Sequence, residues 1–127
     1  MSIAYLFTLG WQSGSDAFSR QITVTGDGEA RLANSVAFGA VDEVIEATIT
    51  PSLLKGLYIN ATQDLTLKAV NAGGTVATID LKANKALLWT ADYFANLFDS
   101  QVTEFQVTNS SGSYADFTGR ILKDVTP

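Results

Sequence analysis

Apolar and polar residues alternate along most of this chain, starting at its N-terminus. Five apolar residues occupy every second position of the first segment: Ile3, Tyr5, Phe7, Leu9 and Trp11. A period of two places all five on one face of a β-strand. The alternation recurs to the C-terminus and predicts ten strands, at residues 3–11, 18–25, 29–35, 42–50, 57–61, 65–70, 76–81, 86–89, 102–108 and 114–122.

Turn residues separate these segments. The run Thr-Gly-Asp-Gly at residues 25–28 tolerates positive φ angles, so it predicts a hairpin formed by segments 18–25 and 29–35. Pro51 ends the segment before it, and Gly56 follows too soon for residues 52–55 to form more than one helical turn. The run Asn-Ala-Gly-Gly at residues 71–74 is a further turn signal.

Ten short strands at spacings near ten residues, with no helical segment longer than two turns, are typical of an all-β protein. We therefore expect an antiparallel two-sheet sandwich that resembles a jelly roll. A chain of 127 residues has the usual length of one domain with one core. The sequence thus predicts a single β-sandwich domain over residues 1–127.

The composition removes several kinds of chemistry. The chain has no cysteine and no histidine, so disulfides, thiolate metal sites and histidine-based catalysis are excluded. Its net charge is −5 and its eight basic residues are dispersed singly, whereas nucleic acids and anionic membranes select clustered cations. We expect no cofactor, no metal, no nucleic-acid partner and no membrane partner. The N-terminus has no basic or apolar leader pattern, so we expect synthesis in a cytoplasm without a cleaved secretory signal.

Acidic residues offer the one catalytic alternative. Asp42, Glu43 and Glu46 lie close together, and a pair of carboxylates can hydrolyse a glycosidic bond without histidine or cysteine. The same residues suit a solvated outer face or a protected sheet edge, which is the favoured interpretation. Asp27 between two glycines is typical of a turn, and the Ser52–Lys55 spacing is typical of a capped turn rather than of a nucleophile and its base.

Aromatic residues gather near the end of the eighth segment. Trp89, Tyr93, Phe94 and Phe98 lie within ten residues of one another. Rings beneath a loop usually close the open end of a sandwich, but exposed rings can anchor a protein partner or stack on a sugar. A carbohydrate-binding module using Trp11, Trp89 or Tyr114 therefore stays open as an alternative.

Four segments, at residues 57–68, 81–89, 102–109 and 121–127, carry a resemblance to a known class of proteins. They read LYINATQDLTLK, LKANKALLW, VTEFQVTN and ILKDVTP. In this succession they resemble small virion-associated proteins of tailed bacteriophages, in particular capsid decoration, or cement, proteins with β-sandwich folds. The resemblance covers about residues 20–127, and the segment from Met1 to Arg20 departs from it most.

The resemblance implies a non-enzymatic structural protein on the outside of the virion head. Such a protein binds the major capsid protein, stabilises the shell and commonly acts as a dimer or trimer. A tail or head-fibre component is an alternative within the same biology. The first strand is terminal and offers an edge to a partner's sheet, although an ordinary core strand is the simpler interpretation. The candidate partner-interface residues are Ile3, Tyr5, Phe7, Trp89, Tyr93, Phe94 and Phe98.

Overall fold

A computed structural model describes residues 2–91 and 94–124 of the chain. These residues form ten strands and one 3₁₀ turn at Pro51–Leu53. Within them, no helix is long and apolar enough to cross a membrane. The strands are β1 (Ile3–Ser13), β2 (Asp16–Gly26), β3 (Gly28–Val36), β4 (Glu43–Ile49), β5 (Leu54–Ala61), β6 (Leu65–Asn71), β7 (Gly74–Leu81), β8 (Leu87–Thr90), β9 (Val102–Thr108) and β10 (Ala115–Lys123).

The last eight strands form two antiparallel four-stranded sheets. One has the order β3-β10-β5-β8 and is called the β3 sheet; the other has the order β4-β9-β6-β7 and is called the β4 sheet. Four pairs are nested about the turn between β6 and β7, because β5 pairs with β8, β4 with β9 and β3 with β10. A long antiparallel ribbon rolled up in this way is a jelly roll. The predicted two-sheet sandwich of jelly-roll type is confirmed.

The core lies between the two sheets. Along β10, residues alternate between buried and exposed, and Phe117 and Ile121 face inward. Phe105 of β9 and Leu67 of β6 meet them from the β4 sheet in the same buried cluster. Full burial of each such side chain contributes about 1.5–3 kcal/mol to stability. A chain without disulfides therefore draws its stability from packing between two alternating faces.

The first two strands stand apart as a two-stranded hairpin. Their register runs from Ile3 opposite Gly26 to Ser13 opposite Asp16. The hairpin packs on the outer face of the β3 sheet, where Ile22, Val24 and Leu122 form a second buried cluster. Half-buried side chains of β1 complete this cluster: Ile3, Tyr5 and Phe7.

The predicted hairpin of residues 18–35 is wrong, because β2 pairs with β1 and β3 pairs with β10. The Gly-Asp-Gly run carries the chain from one sheet to another. The Asp27 N–H donates to the Lys123 carbonyl at 3.1 Å. A Cβ at Gly26 would lie 2.7 Å from the same carbonyl oxygen, so Gly26 permits a close backbone approach. The glycines do mark a bend in the chain, but the bend leads from the hairpin into the β3 sheet.

The substitution Gly26→Ala tests this close approach. The added methyl group must displace the Lys123 carbonyl and also crowds the side chain of Leu122, and we expect a loss of about 1–3 kcal/mol in unfolding free energy by urea denaturation. Gly112→Ala is the matched control, because a Cβ there meets nothing within 4 Å. We expect the control to stay within about 0.5 kcal/mol of the parent. Equal stabilities of the two variants would contradict the close approach of Gly26 to the Lys123 carbonyl.

Candidate functional site

The hairpin is anchored to the β3 sheet by a polar contact at its inner end. The Tyr5 hydroxyl donates to Glu29 Oε2 at 2.5 Å, and Arg31 Nε donates to Glu29 Oε1 at 2.6 Å. Desolvation, reinforced by the bond to Glu29, raises the pKa of Tyr5 well above its usual range. The bonds from Tyr5 and then Arg31 lower the pKa of Glu29. Because Arg31 is largely exposed, the link between strands depends mainly on the Tyr5–Glu29 bond.

A groove of about 560 Å³ lies between β1 and the outer face of the β3 sheet. Leu6 and Leu88 are exposed there, beside Tyr58 and Arg120. Within the described residues β1 has a strand partner on one side alone, namely β2, so its other edge offers unpaired backbone groups. An apolar groove beside a free strand edge is a geometry that accepts an added strand from a partner.

The aromatic residues predicted as interface candidates divide between core and surface. Trp89 is 6% exposed and its Nε1 donates to the Ala95 carbonyl at 2.8 Å, and Phe98 is 1% exposed. These two rings close the sandwich and offer no free surface. Phe94 is exposed. Tyr93 and the side chain of Trp11 lie outside the described part of the structure.

Ile3, Tyr5 and Phe7, also predicted as interface candidates, turn toward the chain itself. They pack on the outer face of the β3 sheet, but each is only half-buried. They therefore hold the hairpin in place with one side and leave the other side accessible. The sequence correctly placed them on one strand face but could not identify the sheet beneath it.

The three acidic residues of the predicted cluster do not share one face of β4. Asp42 lies 3.3 Å from Lys68 Nζ, and its N–H donates to Thr108 Oγ1, so it holds the entry to β4. Glu46 is exposed and lies opposite Glu104 of β9. Across residues 2–91 and 94–124, no group of three or more acidic side chains is arranged to hold a metal ion. Glu46 thus lies on the solvated outer face, whereas Glu43 is half-buried at the start of β4, on the same side of the strand as Ile45.

A second exposed feature lies at the loops that follow β3 and precede β10. Phe38 and Tyr114 are 55% and 61% exposed, and their rings meet edge to face with centroids 5.4 Å apart. Val41 is exposed on the same loop as Phe38. Phe38 follows no strand period, so alternation could not reveal it, whereas Tyr114 was predicted only as the start of a strand and a possible sugar platform.

Asn109 fixes the position of these loops. It is fully buried, and its Nδ2 donates to the carbonyls of Val36 and Ser113 at 3.1 and 2.9 Å. Its Oδ1 accepts bonds from the N–H and the hydroxyl of Ser111. Both donors and both acceptor positions of the amide are therefore used. A buried amide with every bond made holds the surrounding backbone in one arrangement.

No protein-family model and no curated protein matches this chain. A comparison with solved structures finds a de novo designed double-stranded β-helix, whose structure was determined by solution NMR. It is 16% identical, with a TM-score of 0.42, and the alignment covers 75% of this chain and 99% of the designed chain.

The variant Tyr5→Phe tests the anchor of the hairpin. It removes the hydroxyl that bonds Glu29 and keeps the ring, and we expect a loss of about 1 kcal/mol in unfolding free energy at neutral pH. Hydrogen exchange of the β1 and β2 amides should rise more than exchange in the sandwich. Tyr114→Phe is the matched control because its ring is exposed. Equal losses in both variants would argue against the anchor.

The anchor also predicts a pH dependence. The pKa of Glu29 is lowered on folding, so its contribution is present above the ordinary carboxyl value of 4.5 and is lost as the pH falls through the lowered pKa. The pKa of Tyr5 is raised, so its contribution is present below 10.0 and is lost as the pH rises beyond that value. The stability difference between the parent and Tyr5→Phe should therefore narrow in acid and in strong alkali. A difference that is constant from acid to alkali would contradict the assignment.

The variant Asn109→Ala tests whether the side-chain hydrogen bonds of Asn109 hold the two loops in place. It leaves the carbonyls of Val36 and Ser113 without this donor, and we expect a loss of about 2–3 kcal/mol by urea denaturation. Asn34→Ala, at an exposed position of β3, is the matched control and should change stability by less than about 0.5 kcal/mol. A loss of unfolding free energy in Asn109→Ala no larger than in Asn34→Ala would contradict this role of Asn109.

Proposed function

We propose that this protein is a non-enzymatic structural protein of a virion, a capsid decoration or cement protein that binds the major capsid protein of a tailed bacteriophage through its N-terminal hairpin. The observation that carries the proposal is the β1–β2 hairpin, a two-stranded sheet joined to the sandwich at its inner end. The segments that resemble such proteins lie in the sandwich. The hairpin adds the means of attachment.

The length of the hairpin supports this role. Each of its strands has 11 residues, which corresponds to about 36 Å of extended chain. Among the side chains that the structure describes, those that pack on the sandwich are Ile3, Tyr5 and Phe7 of β1 with Ile22 and Val24 of β2. A two-stranded hairpin without further support is marginally stable in water. A hairpin of this length therefore gains stability from contact with a partner.

The sequence of the outer half supports the same conclusion. Apolar residues continue the alternation at Leu9 and Trp11, and Phe18 lies opposite Trp11 in the strand register. Such residues supply the apolar and aromatic contacts on which interfaces between proteins depend. The groove containing Leu6 and Leu88 lies beside the free edge of β1 and extends this surface toward the sandwich.

The proposed role also accounts for what the sandwich contributes. A jelly roll packed on both inner faces is a rigid support that needs no ligand or disulfide. Many copies on a shell act together, so weak single contacts give strong binding, and association into dimers or trimers at symmetry axes adds to this effect. We therefore place the protein on the capsid exterior, with the hairpin as the attachment and the sandwich as the outward body.

The test is cosedimentation with undecorated capsids from the same source, scored as the ratio of bound protein to major capsid protein. We expect the parent to saturate at a fixed ratio and to raise the temperature at which the capsids rupture. A variant in which Leu9 is joined to Arg20 through an Asn-Gly turn keeps the inner register and the sandwich. We expect this shortened hairpin to lower capsid affinity at least about 100-fold, because it removes the aromatic residues Trp11 and Phe18.

Two controls make the experiment decisive. Val44→Ser changes an exposed apolar residue on the outer face of the β4 sheet and should leave capsid binding unchanged. Thermal unfolding of the shortened variant checks that the sandwich is intact. Absence of saturable binding by the parent, or equal binding by the shortened variant, would refute the proposal. Binding to isolated tails and not to heads would assign the protein to the tail.

A further inference from the structure

We propose that Phe38 and Tyr114 form a binding site for a neutral carbohydrate, separate from the hairpin. The site lies at the far end of the β3–β10 pair. β3 begins at Gly28 beside the hairpin and ends at Val36, two residues before Phe38, and Ala115, which follows Tyr114, pairs with Val36. Nine extended residues separate the two ends by roughly 27 Å. Both surfaces are therefore accessible at once.

The rings are held in place before any ligand arrives. Phe38 lies in a turn closed by the Ala40 N–H donating to the Ala37 carbonyl at 3.1 Å, and Gly39 has a φ of +78°. The Gly39 N–H donates to the Asn109 carbonyl, and the Asn109 N–H donates to the Ala40 carbonyl, each at 2.9 Å. The buried amide of Asn109 fixes the opposite loop. Binding to a preformed site avoids the entropic cost of ordering loops.

The ring geometry suits a sugar. An edge-to-face pair leaves the face of one ring beside the edge of the other, and both rings are more than half exposed. The face of an aromatic ring carries negative potential, which attracts the weakly positive C–H groups on the flat side of a pyranose. The neighbouring loop offers exposed Ser110 and Ser113 for hydrogen bonds with sugar hydroxyls.

The absence of charged residues in the two loops and the small exposed apolar area favour a neutral carbohydrate over other ligands. Residues 37–41 and 109–115 contain no charged side chain, so phosphate groups and acidic membranes find no counter-ion there. A stable protein interface buries about 800 Å² on each partner. Two half-exposed rings with Val41 offer an apolar area on the order of 300 Å², bordered by serine and glycine. This area matches one or two sugar rings.

The experiment is an NMR titration of the full chain with five neutral oligosaccharides, namely cellohexaose, xylohexaose, chitohexaose, laminarihexaose and maltohexaose. We expect at least one of them to shift the amide signals of Gly39 and of residues 110–114 in a saturable way. Phe38→Ala and Tyr114→Ala should each weaken binding about tenfold or more, since each removes a stacking surface. Tyr114→Phe keeps the ring and should retain most of the affinity.

Leu88→Ala is the matched control, because it removes an exposed apolar side chain from the hairpin groove and leaves the loops intact. It should not change sugar binding. Absence of binding by all five sugars at millimolar concentration would overturn the inference, and so would equal affinities of the parent and Phe38→Ala. If Phe38→Ala instead lowers capsid binding, the pair is a protein interface and the carbohydrate site is refuted. The capsid binding of the shortened hairpin variant does not decide this test, because the sugar site is separate from the hairpin.

Discussion

The jelly roll depends on one nested set of antiparallel pairs. The innermost pair, β6 and β7, is closed at Asn71, whose side chain accepts the Gly73 N–H at 2.8 Å and donates to the Gln101 carbonyl at 2.9 Å. Each further pair out to β3–β10 has a register of its own, and register shifts interrupt the β6–β7 and β4–β9 pairs. A slip of one residue would turn each buried side chain to the solvent. Cross-pairs of β10 with β5 and of β9 with β6 lock the ribbon against such a slip.

This pairing also separates the two candidate surfaces. The outermost pair, β3 with β10, spans the length of the sandwich, so the chain enters from the hairpin at one end and presents Phe38 and Tyr114 at the other. The two surfaces differ in construction. The loops at the far end are fixed by a buried, fully bonded Asn109, whereas the hairpin is held by a small apolar cluster of three buried and three half-buried side chains and by the Tyr5–Glu29 bond. The aromatic pair therefore lies on loops with a fixed backbone, whereas the hairpin is the less firmly held of the two surfaces.

Local pattern was sufficient for the strands and insufficient for their partners. Alternation predicted residues 102–108 as a strand with both ends correct, and Pro51 ended the preceding strand as expected. The Gly-Asp-Gly run indicates that the chain bends but does not indicate which strand β3 pairs with. Its partner, β10, lies about 85 residues further along the chain, so the predicted local hairpin was wrong. Burial of Trp89 and Phe98 and the exposure of Phe38 depend on how the loops fold over the core, which no period in the sequence specifies.

The hairpin has an unpaired strand edge, on β1, among the described strands. Among the described strands, β1 combines a free edge with an adjacent apolar groove, an arrangement that promotes association unless something covers it. The sandwich gains its stability from its own core, whereas the described side chains of the hairpin share a small cluster with Leu122. A strand added at that edge would supply the backbone hydrogen bonds that β1 lacks on this side. Under the proposed function, the sandwich folds on its own core before assembly, and the partner covers the free edge of β1 during it.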